Sequence, residues 1–437
     1  MAGAALVGAR NALEEEEVGR RAVSRVARRL LPLLFATYLV NFLDRVNVGY
    51  AALQMNERLG FGPAVFGLGA GVFFIGYSLF EVPSNMMLAR VGARRWLPRI
   101  MLNWGVLSAA TALVDGPTSF YLLRLALGIA EAGFVPALLV ILAAWFPAER
   151  RASAVATVWS ATAAALVLGG PLSAAILTLD GRLGLQGWQW MFVLKALPAV
   201  LLAPVLFRLL PDRPEEAAWL PPRERAWLVA RLATERDQRL AGGASERALA
   251  GLARREPWLL GLLYFFLGVG FFGITFWLPQ LVGQLSGLGD AATAVASAVP
   301  FAIAAAAMLL VARWSDRTGR RRVFLVAGTL VAAGGFGLSA VAGPPSTSLA
   351  LLTVGAAGLW SVIGVFWQLP GRHLTGTAAA VGVAAVNACG SLSGFVGPYA
   401  VGLLRAAGGD FRSALVMVAL AMLAAAAIAA TLLGRED

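Results

Sequence analysis

The chain has 437 residues, of which 59% are hydrophobic and only 14% charged, with a formal net charge of +12. An average soluble domain is about 25% charged, so a soluble fold is excluded, and the lack of β-type alternation excludes an outer-membrane barrel. The basic excess does not mark a nucleic-acid binder, because no soluble basic domain is present to carry it.

A bilayer core about 30 Å thick takes about 20 apolar residues per helix. Twelve such stretches follow one another near residues 30–54, 64–88, 97–114, 118–144, 153–178, 188–210, 257–283, 291–312, 322–342, 347–369, 375–403 and 412–433. They predict an all-α membrane protein with twelve transmembrane helices in two pseudo-symmetric six-helix bundles. The expected divisions are an N-terminal segment 1–29, a bundle 30–210, a linker 211–256, a bundle 257–433 and a tail 434–437. With the N-terminus inside, 29 of the 36 Lys and Arg fall on the cytoplasmic side, four outside and three within spans. This positive-inside bias puts both termini in the cytoplasm of a multi-pass protein of the inner (plasma) membrane. The first apolar run is too long for a cleaved signal peptide. The single Cys389 cannot form an intrachain disulfide and the single His373 has no partner at ligand spacing, so no metal or cofactor is expected.

The first span carries Asp44 and Arg45 side by side. A charge at the centre of a spanning helix costs about 2.5–3.5 kcal/mol, and such residues face a protein interior or a water-filled path. Tyr38, Asn41 and Arg45 recur at i, i+3 and i+7 and form one stripe. On the second span Tyr77 lies at mid-depth, one turn before Glu81. The fourth span holds Arg124 and Glu131, seven residues and about 10.5 Å apart on one face. That is too far for a direct pair, so each needs a partner from another helix, with Asp44 and Arg45 the obvious candidates. Lys195, the only lysine, sits within the sixth span; it is either an extra anion contact or, the preferred reading, its stem snorkels outward to water. Pro136, Pro171, Pro300 and Pro398 are expected to kink their helices.

Between the halves, Pro221-Pro222 opens an expected surface helix with Trp227 at the membrane interface, and Gly242-Gly243 reads as flexible linker. The halves echo each other in their short loops: Ala89-Arg90-Val91-Gly92-Ala93-Arg94-Arg95 matches Asp316-Arg317-Thr318-Gly319-Arg320-Arg321-Arg322. Such an echo is what an internal duplication leaves. Each predicts a tight turn at Gly, with Arg90, Arg94, Arg317 and Arg320 beside helix ends as gating residues, joined by Asp316 and Glu81. Glu81 is expected to pair with a gate arginine. Arg372 and His373 read as anchors at the end of the tenth span.

Together these features resemble the major facilitator superfamily and, within it, the anion:cation symporter family of sugar-acid, tartrate, phthalate and sialin-like carriers. The residues that carry the resemblance are Asn41-Phe-Leu-Asp44-Arg45-Val-Asn47, Glu81-Val-Pro83, Arg124-Leu-Ala-Leu-Gly128 through Glu131-Ala-Gly133, Trp145-Phe-Pro147, Pro211-Asp-Arg-Pro214, Trp277-Leu-Pro279, Leu374-Thr-Gly376 and Asn387-Ala-Cys-Gly390. The resemblance implies proton-coupled uptake of a small organic anion by alternating access, with Asp44 and Glu131 as protonation sites and Arg45 and Arg124 serving substrate. It also implies that Tyr264, Trp367 and Asn387 line the pocket with Tyr38, Asn41 and Tyr77. Ala89 departs from the acidic residue usual in the first loop, and Lys195 stands where relatives often carry a carboxylate.

The chemistry of the residues agrees. An arginine fork holds a carboxylate bidentately, whereas a carboxylate is pushed toward its neutral form by an apolar surrounding and pulled back by a neighbouring arginine. The expected function is therefore proton-coupled symport of a hydroxy or sugar acid, tartrate or an aromatic carboxylate. The partners are that anion, a proton and the lipid bilayer, with the monomer as working unit. Alternatives are a proton-independent facilitator or exchanger, a static ion-pair lock between helices, or a transporter-like sensor. An enzyme is not expected, since no nucleophile–base pair is visible.

Overall fold

Backbone amides in a bilayer must find partners within their own segment, and this chain meets the requirement with helices alone. The computed structural model describes residues 2–241, 255–369 and 378–432, and among these no strand occurs. The motif at Leu374 to Thr377, Arg372 and His373, Gly242-Gly243 and the tail 434–437 lie outside the described residues.

In the first half, α1 (Ala2–Arg58), α2 (Pro63–Val91) and α3 (Ala93–Ala110) are followed by a fourth span in two pieces, α4 (Pro117–Glu131) and α5 (Phe134–Trp145). The fifth span joins α6 (Ala148–Trp159) to α7 (Ala161–Leu177), and the sixth is α8 (Gly187–Leu209). Helix α9 (Pro222–Ala241) lies between the halves. The second half runs through α10 (Arg255–Ser286), α11 (Asp290–Ala296) with α12 (Ala298–Thr318), α13 (Arg321–Val341), α14 (Pro345–Phe366), α15 (Ala378–Gly408) and α16 (Arg412–Leu432). Ten of these segments are long and apolar enough to cross a bilayer. The stretches expected at 97–114 and 375–403 are occupied by α3 and α15, so every expected span carries a helix.

The break in the fourth span has a local cause. Pro136 cannot donate to the carbonyl four residues back and its ring crowds that carbonyl, which belongs to Ala132. Ala132 is extended at ψ 135° and Gly133 takes φ +84°, so α5 restarts at a new angle. Pro300 stands in the same relation to Ala296, where α11 ends. The duplicated loops both turn at a glycine with positive φ, +86° at Gly92 and +71° at Gly319, but with ψ 157° and −10°, so the two turns differ in shape.

One face of the molecule gathers the Arg-rich loops. There α9 packs on the N-terminal part of α1, with Arg25 Nε donating to Glu224 Oε2 at 2.9 Å and Arg29 lying 4.9 Å over the Trp219 ring. Glu235 of α9 also accepts from the Ala148 amide and from Arg151, each at 3.0 Å, which ties the start of α6 into the same corner. Trp227 fills the space above Gly19 of α1.

On the opposite face the two halves close on each other. A side-chain carbon at Gly67 of α2 would stand 2.8 Å from the Pro398 carbonyl and 3.0 Å from Gly402 Cα in α15, so only glycine permits this approach. Phe74 of α2 packs on Phe272 of α10 with centroids 4.6 Å apart. Beyond them, Gln280 Oε1 accepts from Asn56 Nδ2 of the first half at 3.3 Å and from Arg405 Nη1 of the second at 2.9 Å. Among the described polar contacts between halves, Glu81 with Asn387 lies nearest the Arg-rich face. The molecule is thus sealed on one side.

Candidate functional site

The site begins with the adjacency of Asp44 and Arg45 on α1. Neighbours on a helix point about 100° apart, so the two side chains meet different elements. Arg45 donates through Nη2 to Glu131 Oε1 at the last turn of α4. Asp44 turns to α3, where Ser108 Oγ donates to its Oδ1. Each carboxylate keeps a second oxygen, Asp44 Oδ2 and Glu131 Oε2, buried with no protein partner. Asp44 and Glu131 are 3% and 1% exposed, whereas the Arg45 side chain keeps 12%, so Arg45 is the member of the set that touches open space.

Two glycines bring α2 and α4 close enough to complete it. A side-chain carbon on Gly128 would collide with the Phe73 carbonyl, and one on Gly76 with that of Leu125. With the helices at this distance, Arg124 reaches across to the carbonyls of Gly69 at 3.2 Å and Ala70 at 3.4 Å. Each helical carbonyl has a second lone pair to offer. Phe73 then lies beneath both cations, 4.9 Å from Arg124 and 5.5 Å from Arg45, and Tyr77 is also 5.5 Å below Arg45. The expectation that the cross-helix partners are Asp44 and Arg45 is met for Glu131 alone. Arg124 spans to backbone carbonyls instead, because those are what the close α2 presents at its level.

Around this centre Tyr38 stacks on Trp159 at 5.0 Å and Phe134 at 6.3 Å. Asn41, on the same stripe, is fully buried with neither end of its amide partnered. From the second half, Tyr264 stacks on Phe366 at 4.8 Å, with Trp367 edge-on at 5.0 Å and 40% exposed.

The loop residues take other places. Glu81 accepts from Asn387 Nδ2 at 3.2 Å and not from a gate arginine. Arg90 is nine residues further along α2, about 13.5 Å by helix rise, and is exposed. Arg94 is held by the end of α8 and the start of the linker: its amide donates to Asp212 Oδ1 at 2.8 Å and its Nε to the Phe207 carbonyl at 3.1 Å. Asp212 thereby supplies, at the start of α3, an acidic group near the loop where Ala89 lacks one. Asp316 accepts from Gln368 Nε2 at 3.0 Å, and Gln368 in turn accepts from Arg321. Arg317 and Arg320 are exposed. Lys195 does not snorkel. It is 3% exposed and donates to Ser173 Oγ of α7 at 2.7 Å, because its level on α8 faces α1 and α7 rather than lipid.

Sequence reasoning missed Ser108, Phe73, Asp212 and Ser173. Phe73 had a signal, standing one turn before Tyr77. Asp212 also lies inside one of the motif stretches. Ser108 and Ser173 had none beyond being small polar residues in apolar spans.

The comparisons with known proteins agree with this architecture. A family model described as Major Facilitator Superfamily matches residues 34–398. An Agrobacterium vitis protein provisionally named a tartrate transporter is 45% identical over 415 residues, 95% of each chain. A quinolone resistance transporter of Acinetobacter baumannii is 40% identical over 404 residues, 92% of each chain. Among solved structures, a bacterial homologue of the human lysosomal transporter Spinster, inward-facing and unoccupied, superposes with a TM-score of 0.77. It is 18% identical, with 94% of this chain and 97% of that one covered.

Proposed function

We propose that this chain, which belongs to the major facilitator superfamily, imports a small organic anion together with protons by alternating access. Membership makes it a membrane transporter built from two helical bundles. The finer reading rests on one observation: Arg45, whose side chain stays partly exposed, is held by Glu131 while both buried carboxylates keep an oxygen without a partner.

The chemistry follows from that arrangement. An incoming carboxylate competes with Glu131 for the Arg45 fork, and it gains most when Glu131 is neutral. Protonation at Glu131 Oε2 releases Arg45 to the anion, so proton and substrate favour each other's binding. Asp44, held by Ser108, offers Oδ2 as the second proton position. Asn41 lies one turn before Arg45 with both amide ends free, which suits a hydroxyl or a second carboxylate. Tyr38, Tyr77, Tyr264 and Trp367 form the walls, Asn387 and Glu81 the contact that joins the halves, and Arg124 the brace that holds α2 to α4. Gating falls to Arg90, Arg94, Asp316, Arg317 and Arg320 when the Arg-rich face closes. On this reading that face is cytoplasmic, in keeping with the 29 of 36 basic residues that the order of spans assigns to the cytoplasmic side. The protein lies in the inner membrane and works as a monomer, and it carries out no chemical conversion.

The names of the relatives support hydroxy acids first, with tartrate the leading member. The test is uptake of labelled L-tartrate into proteoliposomes under an inward acid gradient, with a quinolone as competitor. Uptake that ignores the gradient makes the protein a facilitator or exchanger. No uptake of any acid, with ligand still bound, makes it a sensor.

A further inference from the structure

One buried charge has no part in that account. Lys195 is 3% exposed, and its single described hydrogen-bond partner is the neutral hydroxyl of Ser173, at 2.7 Å. Its ammonium also lies 5.2 Å over the Tyr50 ring, whose own hydroxyl is unpartnered. An ammonium taken into a bilayer without a counter-ion is costly, and such residues mark function.

Its counter-ion can be found by register. Helices α1 and α8 run antiparallel and touch where Asn47 Nδ2 donates to the Met191 carbonyl at 3.2 Å. One turn back from Asn47 on α1 is Asp44, and one turn on from Met191 along α8 is Lys195, so the two charges stand at the same depth. The groups that face Asp44 are Ser108 from α3, Glu131 and Arg124 from α4, and Lys195 from α8. Of the cations in the centre, Arg45 is committed to Glu131 and Arg124 to the α2 carbonyls. Lys195 alone is committed to nothing charged, and Asp44 Oδ2 is left without a partner.

We propose that Lys195 is a positioning residue for the proton step, the standing counter-charge that lets Asp44 give up its proton inside the membrane. This rests on the proton-coupled reading above. While Asp44 is protonated, the ammonium is held on Ser173. When the proton leaves to water at the open face, carboxylate and ammonium neutralise each other across α1 and α8, and the empty carrier can reorient without a lone buried anion.

Two measurements on the full chain decide it. The first is an infrared pH titration of the purified protein, following the carboxylic C=O band that Asp44→Asn removes. The second is the external-pH profile of L-tartrate uptake into proteoliposomes. Removing a nearby cation leaves a carboxyl protonated to higher pH. Lys195→Met and Lys195→Gln are therefore expected to move the band midpoint and the uptake profile alkaline by about one pH unit or more, and Lys195→Arg to leave both near wild type. Gln keeps a hydrogen bond for Ser173, so it serves if Met does not fold. A band midpoint unmoved in the neutral variants overturns the proposal. So does a raised KM on an unmoved profile, which makes Lys195 a substrate contact. If wild-type uptake ignores the gradient, proton coupling fails, yet the infrared titration still decides whether Lys195 is the partner of Asp44.

Discussion

Arg45 of α1 is held by Glu131 at the last turn of α4, so the site's one partly open cation is closed by a carboxylate of the protein itself. On the proposed reading a substrate carboxylate displaces this internal one, and protonation of Glu131 and binding of the anion favour each other.

The two arginines of the centre should separate by measurement. Arg45→Lys keeps a charge for Glu131 but loses the fork that grips a carboxylate. It should retain the melting temperature of the empty protein and lose the upward shift that tartrate gives wild type by mass action. Arg124→Lys cannot hold the Gly69 and Ala70 carbonyls together. Its empty-state melting temperature should fall by about 1 °C per kcal/mol lost in a chain of this length, with the ligand shift retained. Differential scanning fluorimetry in detergent reads both, and identical behaviour of the two variants would remove the distinction.

Gly128 is where packing meets chemistry. A methyl there collides with the Phe73 carbonyl, and such overpacking costs about 1–3 kcal/mol. Gly128→Ala should lower thermal stability and slow uptake together, since it drives Phe73 from beneath Arg45 and Arg124. Gly334→Ala is the control, because a side-chain carbon there meets nothing within 4 Å.

The sealed face should be open to wedging. In a Cys389→Ser background, Gln280→Cys reports on the seam through an impermeant maleimide. Adding Gly67→Trp, which cannot fit against Pro398 and Gly402, should raise the labelling rate several-fold and depress uptake. Equal labelling with and without the wedge would mean that α2 and α15 do not form this seal.

Much of the architecture was legible in the sequence because span length and charge bias are strong, independent constraints. The repeated loops, too, fixed their glycines, and Gly92 and Gly319 both turn with positive φ. The kink at Pro136 was readable as well, although its place three residues earlier follows only from which carbonyl the ring crowds. Partner choice was not legible. Periodicity put Arg124 and Glu131 on one face without revealing that Gly76 and Gly128 draw α2 near enough to offer its carbonyls to Arg124. Lys195 shows the limit best: a lone lysine in an apolar span has two physical solutions, outward to water or inward to a counter-charge. Only its neighbours, Ser173 and the Tyr50 ring, distinguish them.

The central claim is that Glu131 exchanges a proton for its hold on Arg45. The most direct measurement compares L-tartrate accumulation by wild type and Glu131→Gln in proteoliposomes under an inward acid gradient, alongside tartrate–tartrate counterflow without one. Removing one partner of a buried pair costs about 3–5 kcal/mol, and 1.4 kcal/mol is about tenfold. The account predicts that Glu131→Gln loses gradient-driven accumulation by about tenfold or more while keeping counterflow. Accumulation by Glu131→Gln equal to wild type would contradict it.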